Sequence, residues 1–143
     1  MSNDGTIDSR LNQGLPYLSF SQSKGVIEHH WRGGVGVITN HAWAGNHEGK
    51  NNPDMQDVRC VGPLPRGVYN ILPPVTHPHL GPFAMQLEPV QGNEMFGRDA
   101  FYWHGPSQDT AHYGQESMGC VISDRGSRVA GWNTGARQLL VTE

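Results

Sequence analysis

The sequence predicts a single, mainly β domain, a sandwich or partly open barrel with a few short helices, and three observations predict it. Apolar residues recur in short alternating runs, as in residues 17–21 (YLSFS) and 83–87 (FAMQL), where helices would space them by three and four. Gly and Pro supply 19 and 10 of the 143 residues and punctuate the chain throughout, a density that suits strands joined by turns. That length holds one hydrophobic core and not two.

The elements follow in order. Residues 1–16 are polar, carry no basic segment followed by an apolar one, and read as a flexible lead without a signal peptide. Residues 17–143 read as the domain. Residues 17–21 and 26–31 (VIEHHW) flank a turn at 22–25 and form a hairpin. Residues 33–39 (GGVGVIT) are Gly-rich and β-branched; without a Lys-Ser/Thr pair they are a strand rather than a phosphate loop. Residues 40–57 lack periodicity and are rich in Gly, Asn and His, a long surface loop of the kind that carries binding function. Residues 55–60 lead into a short extended piece. Residues 62–67 (GPLPRG) make a turn with two fixed φ angles, and the strand after it, 68–72, stops at Pro73-Pro74.

Residues 77–82 (HPHLGP) are a further turn, 83–87 a strand, 89–96 a loop, and 100–104 a strand ended by Gly105-Pro106. Residues 108–116 are polar, with room for a short helix. Residues 120–123 are apolar and open to helix or strand, 125–132 suit a helical turn or two, and 138–142 (QLLVT) form a terminal strand.

Composition narrows the function. The net charge is −3 and no basic stripe occurs, so nucleic acid is not the expected partner. No apolar run approaches the roughly 20 residues of a membrane span, so no membrane insertion is expected. Two cysteines, Cys60 and Cys120, make no disulfide framework. Eight histidines occur without HExxH or CxxC. His29 and His30 face opposite sides of a strand, His77-Pro78-His79 is constrained by its proline, and His41 and His47 lie in the long loop. Neither a metal nor a cofactor is expected.

The chemistry gathers in residues 101–125 (FYWHGPSQDTAHYGQESMGCVISDR). Cys120 follows Gly119, which permits a sharp turn and can aim successive backbone N–H groups at one point, as an oxyanion requires. A thiol is mostly protonated at neutral pH and needs a base; otherwise a lone Cys packs as a small apolar residue. His104, at a strand end before a Gly-Pro break, is the expected base, the alternative being a packed aromatic beside Tyr102 and Trp103. His112 is a rival in a polar stretch. Ser117 orients the histidine or caps the turn, and Asp124 orients a histidine or caps a following helix. Arg125 clamps a substrate carboxylate or lies solvated.

His104-Gly105 followed by Ser117-x-Gly119-Cys120-Val121 resembles the signature of the L,D-transpeptidase (YkuD-like) family. Gly62-Pro63-Leu64-Pro65-x-Gly67-x-Tyr69 resembles the segment that precedes the histidine in that fold. The loop Gly45-x-x-x-Gly49-Lys50-Asn51-Asn52-Pro53 resembles the branch found as type VI secretion L,D-transpeptidase effectors, toxins delivered to a rival's periplasm. The likeness covers roughly residues 17–125. Two positions depart from it: Met118 stands where the family has histidine, and Ile122 where it has arginine. The resemblance implies a YkuD-like fold and a thioester mechanism on peptidoglycan tetrapeptide stems. Cys120 would attack the carbonyl of stem position three. His104 would act as base and then as the acid that expels terminal D-alanine, and N–H groups near Gly119 and Cys120 would hold the oxyanion. Tyr102, Gly105, Asp124 and Arg125 are expected against substrate. Water would give L,D-carboxypeptidase activity, and an amine would give exchange with a D-amino acid or a cross-link. It further implies synthesis in the cytoplasm, action in the target periplasm, secretion machinery and a cognate immunity protein.

Two other readings stand beside it. An NlpC-type cysteine amidase places its nucleophile before its histidine, and here no histidine follows Cys120. A non-catalytic cell-wall binding module would bury Cys120 as core.

Overall fold

In the computed structural model, which describes residues 8–107 and 117–143, strands dominate as expected. Strand β1 (Tyr17–Ser21) buries Leu18 and Phe20 and leaves the residues between them half-buried, the alternation expected of a strand covered on one face. It pairs antiparallel with β2 (Ile27–Trp31) across a turn in which Gly25 takes φ +66, and β2 pairs with β3 (Gly34–Thr39). Strand β5 (Gly67–Ile71) runs beside the longer β7 (Gly81–Pro89), and β7 beside β8 (Phe101–His104). The terminal strand β10 (Gln138–Thr142) inserts between β1 and β5, parallel to the first and antiparallel to the second.

Two strands of two residues complete the sheet, β4 (Trp43–Ala44) and β9 (Val121–Ile122), paired with each other. The order is β3-β2-β1-β10-β5-β7-β8-β9-β4, with β6 (Val75–His77) added to the first half of β7. The path does not close, and β3 and β4 are its edges. The core gathers from the middle of this path: Leu18 and Phe20, Tyr69 and Ile71, Met85 and Leu87, Phe101 and Trp103, Leu139 and Val141.

Helix α1 (Arg125–Asn133) packs close to the sheet at Gly131, where a β-carbon would overlap the Trp103 ring. Trp103 also donates from its indole nitrogen to Ser123 Oγ at 2.8 Å, and Ser127 Oγ donates to the same oxygen at 2.7 Å. That small polar knot fixes the start of the helix just after β9.

Some local expectations differ from the fold. Residues 77–82 are not one turn: His77 ends β6 and Gly81 begins β7, so only residues 78–80 turn. Residues 55–60 are turns and not an extended piece, and the long loop before them holds 3₁₀ turns at His47–Gly49 and Pro53–Met55 as well as β4. Its asparagines supply the missing ladder: Asn51 Oδ1 accepts from Ala44 N–H at 3.0 Å, and Asn52 Oδ1 accepts from Asp54 N–H at 3.1 Å. Where the polar lead is described it meets the body. Leu11 is buried, and Asn12 N–H donates to Gln138 Oε1 at 2.6 Å. The expected short helix at 108–116, and His112 within it, lie outside the described residues.

Candidate active site

Strand β8 alternates its side chains. Phe101 and Trp103 enter the core, which puts Tyr102 and His104 on the other face. Strand β9 lies parallel to β8, with Trp103 opposite Val121 and His104 opposite Ile122. The residue just before β9 is Cys120, so this register brings the thiol alongside Tyr102. The Tyr102 N–H donates to Cys120 Sγ at 3.3 Å. Cys120 and His104 line one cavity of 380 Å³, together with Tyr102, His77, Arg98, Met118 and Cys60.

The imidazole is buried, and its Nδ1–H donates to the Gly105 carbonyl at 2.9 Å. With the proton held there, Nε2 keeps its lone pair and is the nitrogen able to take a proton from a thiol. Gly105, expected against substrate, therefore serves the histidine through its backbone oxygen. A β-carbon at Gly105 would stand 2.6 Å from an Arg128 nitrogen, so the residue has no room for a side chain.

The cysteine turn is pinned by groups that make it rigid. Ser117 is fully buried; its Oγ accepts from Gly45 N–H at 2.9 Å and Gly119 N–H at 3.0 Å, and donates to the Cys120 carbonyl at 2.6 Å. Ser117 thus caps the turn, and the alternative that it orients the histidine is not what forms. Gly119 has φ +123, and a β-carbon there would meet Arg98 and Phe101. Because the Gly119 N–H is already bound to Ser117, it is not available to an oxyanion, contrary to expectation. The amide of Asn46 ties the turn to the loop, donating to the carbonyls of Ser117 at 2.6 Å and Cys60 at 2.7 Å.

Arg98, to which nothing in the sequence drew attention, is the other tie. It is buried and donates to four carbonyls: Gln56 at 2.6 Å, Pro63 at 2.7 Å, Gly62 at 3.0 Å and Met118 at 3.2 Å. Its charge is felt by Cys120. Burial pushes the Cys120 thiol up, and the Tyr102 N–H, the Arg98 guanidinium and the Cys120 N–H pull against it without prevailing. The resting thiol is thereby biased toward its protonated form. In a Cys60→Ser variant, alkylation of Cys120 by iodoacetamide is expected to go on accelerating past about pH 8.5, the ordinary thiol value. A rate plateau near neutral pH would instead reveal a preformed thiolate–imidazolium pair. The Cys60 substitution is needed because that thiol is free and exposed on the same cavity.

Asp124 and Arg125 do not line the cavity that holds the thiol. With His79, Gly105 and Arg128 they line a second cleft of 760 Å³ that also borders His104 but does not reach Cys120. Asp124 occupies the N-cap position of α1 without a side-chain capping bond, and its carbonyl accepts from Ser127 Oγ at 2.9 Å. It neither orients the imidazole nor caps the helix through its carboxylate. Arg125 is exposed, its guanidinium 5.9 Å from the Phe83 ring centre. Arg128, also unforeseen, is buried and holds the carbonyls of Pro82, Phe83 and Ser123. Among the described residues no three His, Cys, Asp or Glu side chains converge as a metal site.

Comparison with known proteins bears on the family and the fold. The Tlde1 domain matches residues 38–141, well over half of the chain. No similar sequence was found among curated proteins. Among solved structures, L,D-transpeptidase 3 from Mycobacterium tuberculosis, in complex with a faropenem-derived adduct, is similar with a TM-score of 0.56 at 16% identity over 90% of this chain and 60% of that one. The helical cell shape determining protein Pgp2 from Campylobacter jejuni gives a TM-score of 0.54 at 14% identity, over 90% of this chain and 46% of that one. An L,D-transpeptidase from Mycobacterium smegmatis gives 0.51 at 11% identity, over 90% and 58%. The chain therefore spans between 46% and 60% of the length of these three structures. It shares the fold of the L,D-transpeptidases, and it belongs to the Tlde1 domain family, the type VI L,D-transpeptidase effector family.

Proposed function

We propose that this protein is a peptidoglycan-modifying cysteine enzyme of the L,D-transpeptidase type, with Cys120 as nucleophile and His104 as base, acting on tetrapeptide stems. The observation that carries the reading is the bond from His104 Nδ1–H to the Gly105 carbonyl beside a cavity shared with Cys120. It leaves Nε2 as the proton acceptor. As Cys120 Sγ bonds to the carbonyl carbon of stem position three, its proton passes to His104 Nε2. The Tyr102 N–H addresses the sulfur, so it stands next to the tetrahedral centre, and with the Cys120 N–H it would take the place of the Gly119 N–H as oxyanion donor. Collapse of that centre breaks the amide bond, the imidazolium returns its proton to the departing nitrogen, and D-alanine leaves. A thioester remains on Cys120. Water or an amine entering beside His104 gives its proton to the imidazole and resolves the thioester, freeing the thiol.

Membership of the Tlde1 domain family supports delivery by a type VI secretion system into a target periplasm, with a cognate immunity protein restraining the toxin. Purified protein incubated with tetrapeptide muropeptides is expected to yield tripeptides lacking terminal D-alanine, or exchanged stems when a second D-amino acid is added, read by mass spectrometry. Unchanged muropeptides under all these conditions would contradict the reading.

A further inference from the structure

His77 stands on the same cavity as Cys120 and His104, and nothing in the mechanism above uses it. It ends β6, and the turn that follows wraps back onto its ring: the backbone N–H groups of His79 and Leu80 donate to Nδ1 at 3.0 and 3.2 Å. A nitrogen that accepts two hydrogen bonds carries no proton, so the proton of this imidazole is on Nε2. The ring is held a second time by Tyr102, edge to face, with centres 5.1 Å apart and planes at 71°. Tyr102 is the residue whose N–H contacts the cysteine sulfur.

The imidazole is thus fixed in tautomer by the backbone and in orientation by an aromatic partner. Nε2–H is on the side of the ring away from the turn, and no hydrogen-bond partner for it occurs among the described residues. Two anchors on a half-buried ring beside a nucleophile leave one donor with a set position, the property that a substrate-orienting group needs and a solvated loop histidine lacks.

We propose that His77 is a substrate-positioning residue whose Nε2–H donates a hydrogen bond to an acceptor oxygen of the stem peptide while its carbonyl is presented to Cys120. This rests on the function proposed above. His104 moves protons; His77 keeps its own and sets where the substrate lies.

Asparagine and glutamine separate the two roles of the ring. In His77→Asn the short amide oxygen still accepts from the N–H groups two and three residues on, so the turn survives while the donor at the Nε2 position is lost. In His77→Gln the amide nitrogen reaches about as far as Nε2 and restores a donor. Each is made in a Cys120→Ala background, which binds without turnover, and tetrapeptide affinity is measured by calorimetry alongside the unfolding midpoint. His77→Asn is expected to unfold at the parent's midpoint and to bind about five- to tenfold more weakly, and His77→Gln to recover part of that loss. Should His77→Asn fail to fold, His77→Phe, which keeps the ring against Tyr102, carries the same expected loss. Equal affinity in the folded variant lacking the donor would overturn the role of His77 alone. No binding by the Cys120→Ala parent would overturn the proposed function and this inference with it.

Discussion

Arg98→Ala is expected to destabilise the protein by about 3–5 kcal/mol, as measured by urea unfolding. Arg98 is 5% exposed, and all four hydrogen bonds of its side chain go to backbone carbonyls, three in the segment 56–63 and one at Met118. Truncation leaves those carbonyls without their donors in a place that water reaches poorly, and each such group costs about 1–3 kcal/mol. It also detaches the cysteine turn from the loop packed against it. Lysine keeps the charge but not the planar fork, so Arg98→Lys is expected to lose most of the same stability. A second readout separates the charge from the scaffold. In a variant that still folds without the guanidinium, the Cys120 thiol loses a favourable positive neighbour and its alkylation slows at every pH below its titration. A loss below about 1 kcal/mol would show that the carbonyls find other partners.

The largest effects on turnover are expected at Cys120 and His104. Cys120→Ala removes the atom that forms the thioester, so product formation falls to background. His104→Ala leaves a thiol whose ionisation burial already opposes, and kcat is expected to fall by about 10²–10⁴ with KM little changed. The split matters, because a residue that merely packed beside Trp103 would lower stability and leave kcat of the folded fraction intact. His104→Gln is a useful companion: its amide nitrogen sits near the Nε2 position but cannot take a proton, so geometry without basicity should not rescue turnover.

How much of this was legible in the sequence follows from which atoms carry the information. Strand β1 alternates buried and half-buried residues, β2 and β10 are short runs bounded by turn formers, and such patterns find elements within a residue or two. Strands β4 and β9 are two residues long and exist because they pair with each other across 77 or more residues of chain, which no local pattern records. The β6–β7 hairpin was hidden in a proline-rich stretch that looks like turn throughout.

The site divides the same way. Cys120 and His104 were legible because a thiol after glycine and a histidine at a strand end are side-chain chemistry. The Gly105 carbonyl and the Tyr102 N–H were not, because backbone atoms are present at every residue. Arg98 was hidden for a related reason: its partners are carbonyls, so no acidic residue in the sequence announces it. The two departures from the family pattern become intelligible. Met118 is 64% exposed, and its carbonyl rather than its side chain is used by the fold, so that position tolerates change. Ile122 is fully buried on β9, where an arginine would have to be desolvated. Arg125 lines the second cleft, which His104 also borders.

The most direct test of the account is the mass of the protein itself during reaction. Wild-type protein mixed with a tetrapeptide stem, quenched in acid within seconds and digested, is expected to carry an adduct equal to the stem acyl group without its terminal D-alanine, located on Cys120 and absent from Cys60. The adduct should disappear in Cys120→Ala and reverse under hydroxylamine, as a thioester does. Product formation without any adduct on Cys120, or an adduct confined to Cys60, would contradict the central claim that Cys120 is the nucleophile.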